Sequence, residues 1–241
     1  MLTVRGSTKP MSISAGGVIG IGCVLPPDAG PFICARVLVV ADLIRRVLED
    51  IHSAQVLAAV ITDDQAAVQA AWRSGLMLRP VVGVFGTRSG AEAGIGRPLN
   101  LIVASGGSEP ALPPTIATGP VHSTVPYPEA DLATVRFALE SAPYSNQLEV
   151  TTTVLGDART TLGRWRTLLN QWSHHRSYPI PADWRTAAIE ALDDNLNVAD
   201  VVAMMTQLEE DDSIEPGAKF EAFSYLDRIL AVDLSRDLGR A

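Results

Sequence analysis

The chain has 241 residues, 47% of them hydrophobic, and its 19 lysines and arginines against 27 aspartates and glutamates give a formal charge of −8. This is enough chain for one large domain, or a medium one with an appendage. The negative field repels polyanions and anionic lipid surfaces, which argues against tRNA and against a membrane as partners.

Two cysteines, Cys23 and Cys34, cannot build a disulfide framework, so a reducing, cytoplasmic location is expected. Residues 11–22, "MSISAGGVIGIG", follow Arg5 and Lys9 and precede Cys23, the order of a lipoprotein signal. The stretch is broken by glycines, and Gly20 stands where such a signal needs an apolar residue. No apolar run reaches the roughly 18 residues of a transmembrane helix.

In chain order, "GGVIGIGCVL" (16–25) is β-branched and ends in "PPDAG", which predicts a buried strand and a turn. From Cys34 to Ile51, Val37, Val40, Ala41, Ile44, Val47, Leu48 and Ile51 recur at helical spacing, with Arg45, Arg46, Glu49 and Asp50 on the other face. "QVLAAVI" (55–61) predicts a second strand, a helix follows from Asp64 to about Ser74, and "PVVGVFG" (80–86) and "LNLIVAS" (99–105) predict two more strands. Buried strands alternating with helices imply an α/β fold with a parallel sheet. Residues 106–128 hold six prolines and no apolar period, and are expected to be a long irregular loop that divides the architecture. Beyond it, "DLATVRFALESA" (131–142) predicts a joining helix. Three further stripes follow: Leu155, Ala158, Leu162, Trp165, Leu169 and Trp172; Val198, Val201, Val202, Met205 and Leu208; and Phe220, Phe223, Leu226 and Leu230. There is no internal repeat.

Five segments, residues 35–49, 60–71, 96–105, 131–166 and 190–205, taken in that order, resemble cysteinyl-tRNA synthetases and the related cysteine ligase of mycothiol biosynthesis. "ARVLVVADLIRRVLE" (35–49) resembles their helix after the first signature motif, and "VITDDQAAVQAA" (60–71) and "GRPLNLIVAS" (96–105) resemble two strand ends of that core. The segment 131–166 is similar to the region after the second signature, and "EALDDNLNVADVVAMM" (190–205) to the start of a C-terminal helix hairpin. The resemblance implies a Rossmann-like class I synthetase-type core over residues 1–128 and a C-terminal helical bundle over 129–241. Too little chain follows the hairpin for a separate anticodon domain, a second expectation against tRNA.

The family's first signature carries histidines that contact the ATP phosphates. Its four positions fall here on Pro31, Phe32, Ile33 and Cys34, which offer no strong side-chain donor. Each lost contact of this kind is worth about 3 kcal/mol of transition-state stabilisation. The second signature supplies a mobile lysine; its counterpart, Pro120 to Thr124, has none, and His122 is the only histidine nearby, a type of side chain only partly charged near neutral pH. Lys219 is the one lysine beyond Lys9. The family also binds zinc. Cys23 lies near the first ligand position, the second falls on Ala104, and the segment carrying the other two ligands is replaced by the proline-rich loop. His174 and His175 diverge as helix neighbours, so zinc is not expected.

Several residues carry two readings. Cys23 and Cys34 are a reactive pair or buried small hydrophobes. Thr62, Asp63 and Asp64, at a strand end, are ligand contacts or a helix cap. Arg97 holds an anion or is an ordinary surface residue. "EEDD" (209–212) reads as a solvated loop, and Trp165 and Trp172 as core or interface rather than a platform for bases.

The resulting expectation is a catalytically degenerate synthetase-like protein that binds a small molecule or a protein. The alternative is a ligase activating cysteine or another small carboxylate through an adenylate. Candidate catalytic residues are Cys34, Arg36 and His122. Candidate ligand contacts are Cys23, Asp28, Thr62, Asp63, Asp64 and Arg97. ATP or AMP is the candidate nucleotide, and a homodimer is a further candidate assembly.

Overall fold

The computed structural model describes residues 1–5, 10–13, 17–64, 76–106, 113–128 and 131–239. The helix expected over 64–74 falls largely outside the described residues.

Five strands, β3 (Val18–Val24), β4 (Gln55–Ile61), β5 (Val84–Phe85), β6 (Leu101–Ser105) and β7 (Thr115–Thr118), form an entirely parallel sheet in the order β5-β4-β3-β6-β7. The order runs outward in both directions from β3, so connections after β3 and β6 leave on opposite sides and open a crevice at the carboxyl ends of these strands. An antiparallel hairpin of β1 (Leu2–Arg5) and β2 (Pro10–Ile13) precedes the sheet.

Seven helices are present among the described residues. Helix α1 (Pro31–Arg46) starts on a proline at its first turn, where the missing N–H costs nothing, and runs on into a π-helical turn, Val47–Ile51. The expected amphipathic helix is enclosed over nearly its whole length. One side lies on β3, β6 and β7, and the other is covered by α3 (Leu132–Glu140) and α7 (Pro216–Leu230). The apolar stripe covers only part of its circumference, so the second layer must also accommodate Arg36 and Asp42, both buried. The opposite sheet face is covered by α2 (Arg88–Ile95), which packs Ala91 and Ile95 on Ala59, Ile61, Ile102 and Ala104. Thr87 caps α2 by accepting the Gly90 N–H at 3.1 Å, and Gly96 ends it at φ +77°.

Gly22 permits a close crossing over β3. A Cβ there would sit 2.8 Å from Leu99 Cδ1, and the neighbouring backbone of Gly20 exchanges hydrogen bonds with Asn100 at 2.8 Å. Gly20 and Gly22, which break the apolar run, thus let residues 98–100 approach the sheet.

The span 106–128 is not a continuous irregular loop. It contains β7 and β8 (Val121–Ser123), and β8 pairs in parallel with β9 (Leu148–Val150). Prolines at 113, 114 and 120 bracket the strands rather than interrupt them, which keeps the missing N–H groups off the ladder. Helices α4 (Thr152–Trp172), α5 (Ala182–Asp193) and α6 (Val198–Glu210) complete the chain with α7. Trp165 is fully buried and meets Phe137 and Phe223 edge to face, both at 5.5 Å, so it is a core residue. The second of the paired stripes buries Val198, Val201, Met205 and Leu208, and the third Phe223, Leu226 and Leu230.

Candidate functional site

The carboxyl ends of the strands bring several expected residues together. The turn after β3 carries Asp28, exposed and in the left-handed region at φ 58°, and leads into Gly30, which caps α1 without a side chain. Phe32 is buried among Val121, Leu132, Val135 and Leu139, and meets Tyr127 edge to face at 4.8 Å. Cys34 is buried with its Sγ 3.8 Å from the Ala29 carbonyl. Burial raises the Cys34 pKa and the charge of Asp64 raises it further; the end of β4 lies beside the turn into α1, with the Leu25 N–H donating to the Ile61 carbonyl at 3.1 Å. Thr62 is buried and its Oγ1 accepts the Asp64 N–H at 3.1 Å, a short turn in which the hydroxyl replaces a backbone acceptor. Asp63 is exposed, with its Oδ1 against Gly86.

Cys23 lies on the α1 side of β3. It borders a cavity of about 20 Å³, room for about one water, together with Asp42, Arg45 and Arg79. Burial, then Asp42, push its pKa up to about 12 against a smaller opposing effect of Arg45, so it stays a neutral thiol. Thiolate is the nucleophilic and metal-binding form, and both cysteines are held away from it. Ala104 belongs to the cluster on the α2 face, whereas Cys23 belongs to the cluster on the α1 face. The two positions thus point to opposite sides of the sheet. Among the described residues no group of three or more His, Cys, Asp or Glu side chains is arranged to hold a metal.

Other expected residues lie elsewhere. Arg97 follows α2 and precedes β6, at the amino end of the sheet, away from Asp63 and Asp28. Its Nε is enclosed without an acceptor. His122 is exposed on β8, in register with Glu149 of β9. His174 and His175 are exposed in the turn after α4. Lys219 is buried in α7, donates from Nζ to the Glu209 carbonyl at 2.9 Å and lies over Trp172, a structural role far from the strand ends.

Arg36 is fully buried in the second turn of α1. Its Nη2 donates to the Pro143 carbonyl at 2.9 Å, while Nε and Nη1 are enclosed without acceptors.

No family model matches this chain, and no curated protein matches it.

A set of buried charges escaped the sequence reading. Asp42 Oδ2 lies 2.8 Å from Arg136 Nη1 and accepts from Arg46 Nε at 2.6 Å, and its Oδ1 accepts the Arg79 N–H at 2.8 Å. Burial works to raise the Asp42 pKa, but Arg136, then Arg46, hold the carboxyl below its ordinary range. Glu140, one helical turn beyond Arg136, is fully enclosed, and burial raises its pKa to about 8 despite Arg136 at 3.4 Å. The available signal was a charge inside each apolar run: Asp42 in "VLVVADLI" and Arg136 in "ATVRFAL", with Glu140 at the end of the second.

Proposed function

We propose that this chain is a catalytically degenerate relative of the cysteinyl-tRNA synthetase and mycothiol cysteine ligase family. In this reading the parallel sheet is a Rossmann-like, class I synthetase-type core, and α4 to α7 are its helical bundle. The protein works by binding a small molecule or a protein at the crevice between the carboxyl ends of β3 and β6.

One observation carries the reading. At the start of α1, where the resemblance implies histidines on a triphosphate, the chain places a proline at the first turn, a phenylalanine packed into a core cluster and a buried neutral thiol. These side chains fill space rather than bear charge. Adenylate formation depends on donors aimed at charge that develops on the phosphates, and Phe32 and Cys34 are spent on packing. The backbone N–H of Phe32 is the free donor type that a helix start offers weakly to an anion. The negative net charge adds a field that disfavours a triphosphate.

Calorimetric titration with ATP, AMP and the individual amino acids tests this. Heat of binding from one of these ligands, with no product formed, is the expected outcome. Turnover of bound ATP in the presence of an amino acid would contradict it.

A further inference from the structure

The other buried guanidiniums have acids nearby. Arg136 faces Asp42 and Glu140, and Arg166 lies within the fields of Asp233 and Asp131. Arg36 has no such compensation. Its side chain is 0% exposed, it reaches one carbonyl, and two of its three nitrogens have no acceptor. Burial is the sole cause that draws its pKa down, to about 10, which leaves it charged at neutral pH.

A second orphaned donor is tied to the same turn. Thr118, at the carboxyl end of β7, is 1% exposed and its Oγ1 has no partner. Alternation along the strand puts Thr118 on the same face as Ile116, which shares a core cluster with Val37 and Val40 of α1. Helix α1 packs on β7. The turn between α3 and β9 joins the two orphans: Arg36 holds the Pro143 carbonyl, and the next carbonyl, of Tyr144, accepts the Gly119 N–H at 2.8 Å.

Enclosing an unpaired charge and an unpaired hydroxyl is costly, and the cost is offset when an acceptor of opposite charge arrives. We propose that Arg36 and Thr118 anchor the carboxylate of a small monocarboxylate ligand beneath the turn between α3 and β9. Charge counting selects this class. One guanidinium neutralises one negative charge, and a phosphate monoester would bring a second that no neighbouring cation balances. The guanidinium and the hydroxyl donate to the carboxylate oxygens. A cleft of about 340 Å³, lined in part by Pro143, Ser145, Asn146 and Asp194, opens on the same turn, and Arg36 and Thr118 lie outside its lining, so the ligand reaches them only as the turn moves. The inference rests on the binding role proposed above and adds the chemistry of the ligand.

The test is an NMR titration of the full chain that follows the Arg36 Nε–H resonance, assigned by its loss in Arg36→Lys. Acetate is the probe, with inorganic phosphate and chloride at matched ionic strength as the other arms. The expected result is a saturable shift with acetate alone, about fivefold weaker in Thr118→Val. Acetate should also raise the thermal midpoint of the wild type and not that of Arg36→Met. If Arg36→Met does not fold, the wild-type resonance and Thr118→Val decide the matter. No saturable shift with acetate, an equal shift with phosphate, or an unchanged affinity in Thr118→Val would overturn the proposal. Calorimetric binding of an amino acid or nucleotide that leaves the Arg36 resonance unmoved would retain the binding role and remove this anchor.

Discussion

Asp42 of α1 and Arg136 of α3 meet at 2.8 Å between Oδ2 and Nη1, and neither side chain is more than 5% exposed. Arg136 also donates to the carbonyls of Leu76 and Leu230, so a single guanidinium ties α1 to the segment before β5 and to the end of α7. Replacing Asp42 with Ala leaves that guanidinium buried and short of its carboxylate. The expected loss is about 3–5 kcal/mol, read as a lower urea midpoint at unchanged denaturant slope.

Glu140 gives stability a pH dependence of defined sign. Its carboxyl is held neutral in the folded protein up to about pH 8, against an ordinary value of 4.5. The favourable protonated state is fully present below the unfolded value and is lost as pH rises through the folded one. This group therefore makes the protein less stable as pH climbs from 4.5 to 8. Glu140→Gln should flatten that part of the profile and stabilise the protein at its alkaline end, by an amount on the order of several kcal/mol. Urea denaturation at a series of pH values checks this, and a steeper profile in the variant would contradict it.

The thiols should be silent in the native state. Cys23 is pushed up to about 12 and Cys34 is raised by burial and by Asp64, so neither presents a thiolate near neutral pH. A colourimetric disulfide reagent at pH 8 should react with both of the chain's two cysteines in denaturant and with neither at a comparable rate when folded.

Gly119 fixes the turn between α3 and β9 on the sheet. A Cβ there would lie 2.1 Å from the Asn146 carbonyl oxygen, a backbone atom that cannot swing aside. Gly119→Ala should destabilise by about 1–3 kcal/mol through the forced backbone shift. It should also weaken whatever binds near Arg36. A thermal melt together with the acetate titration reports both effects.

Much of the fold was legible where apolar pattern and length agree. Strands β3 and β4, and helices α1, α3, α4, α6 and α7, lie where hydrophobic runs or stripes predict them. What was missed is short or depends on distant partners. β7 and β8 have four and three residues, too few to show a period, and proline-rich flanks mask them. The segment 80–86 contributes only Val84–Phe85 to the sheet. Helix α2, "RSGAEAGI", has two glycines and weak intrinsic propensity, and relies on the Thr87 cap and on packing. The hairpin β1–β2, strand β9 and helix α5 also lack a clear pattern of their own.

The candidate site was legible at the level of residue type only. Thr62 and Asp64 fall at a strand end, as their position after "QVLAAVI" implies. Arg36 and Arg45 look equivalent in the sequence, ten positions or fewer apart on one helix. Their environments differ because the Pro143 carbonyl, 107 residues downstream, closes over Arg36, while Arg45 pairs with Glu49 one turn along. No local rule distinguishes a paired from an unpaired guanidinium.

The exchange of labelled pyrophosphate into ATP, run with each amino acid in turn, tests the central claim most directly. The packing of Phe32 and Cys34 at the start of α1 predicts no exchange above the level without protein for any of them. Robust exchange that depends on cysteine, or on any other amino acid, would show that the chain forms an adenylate and would contradict the account.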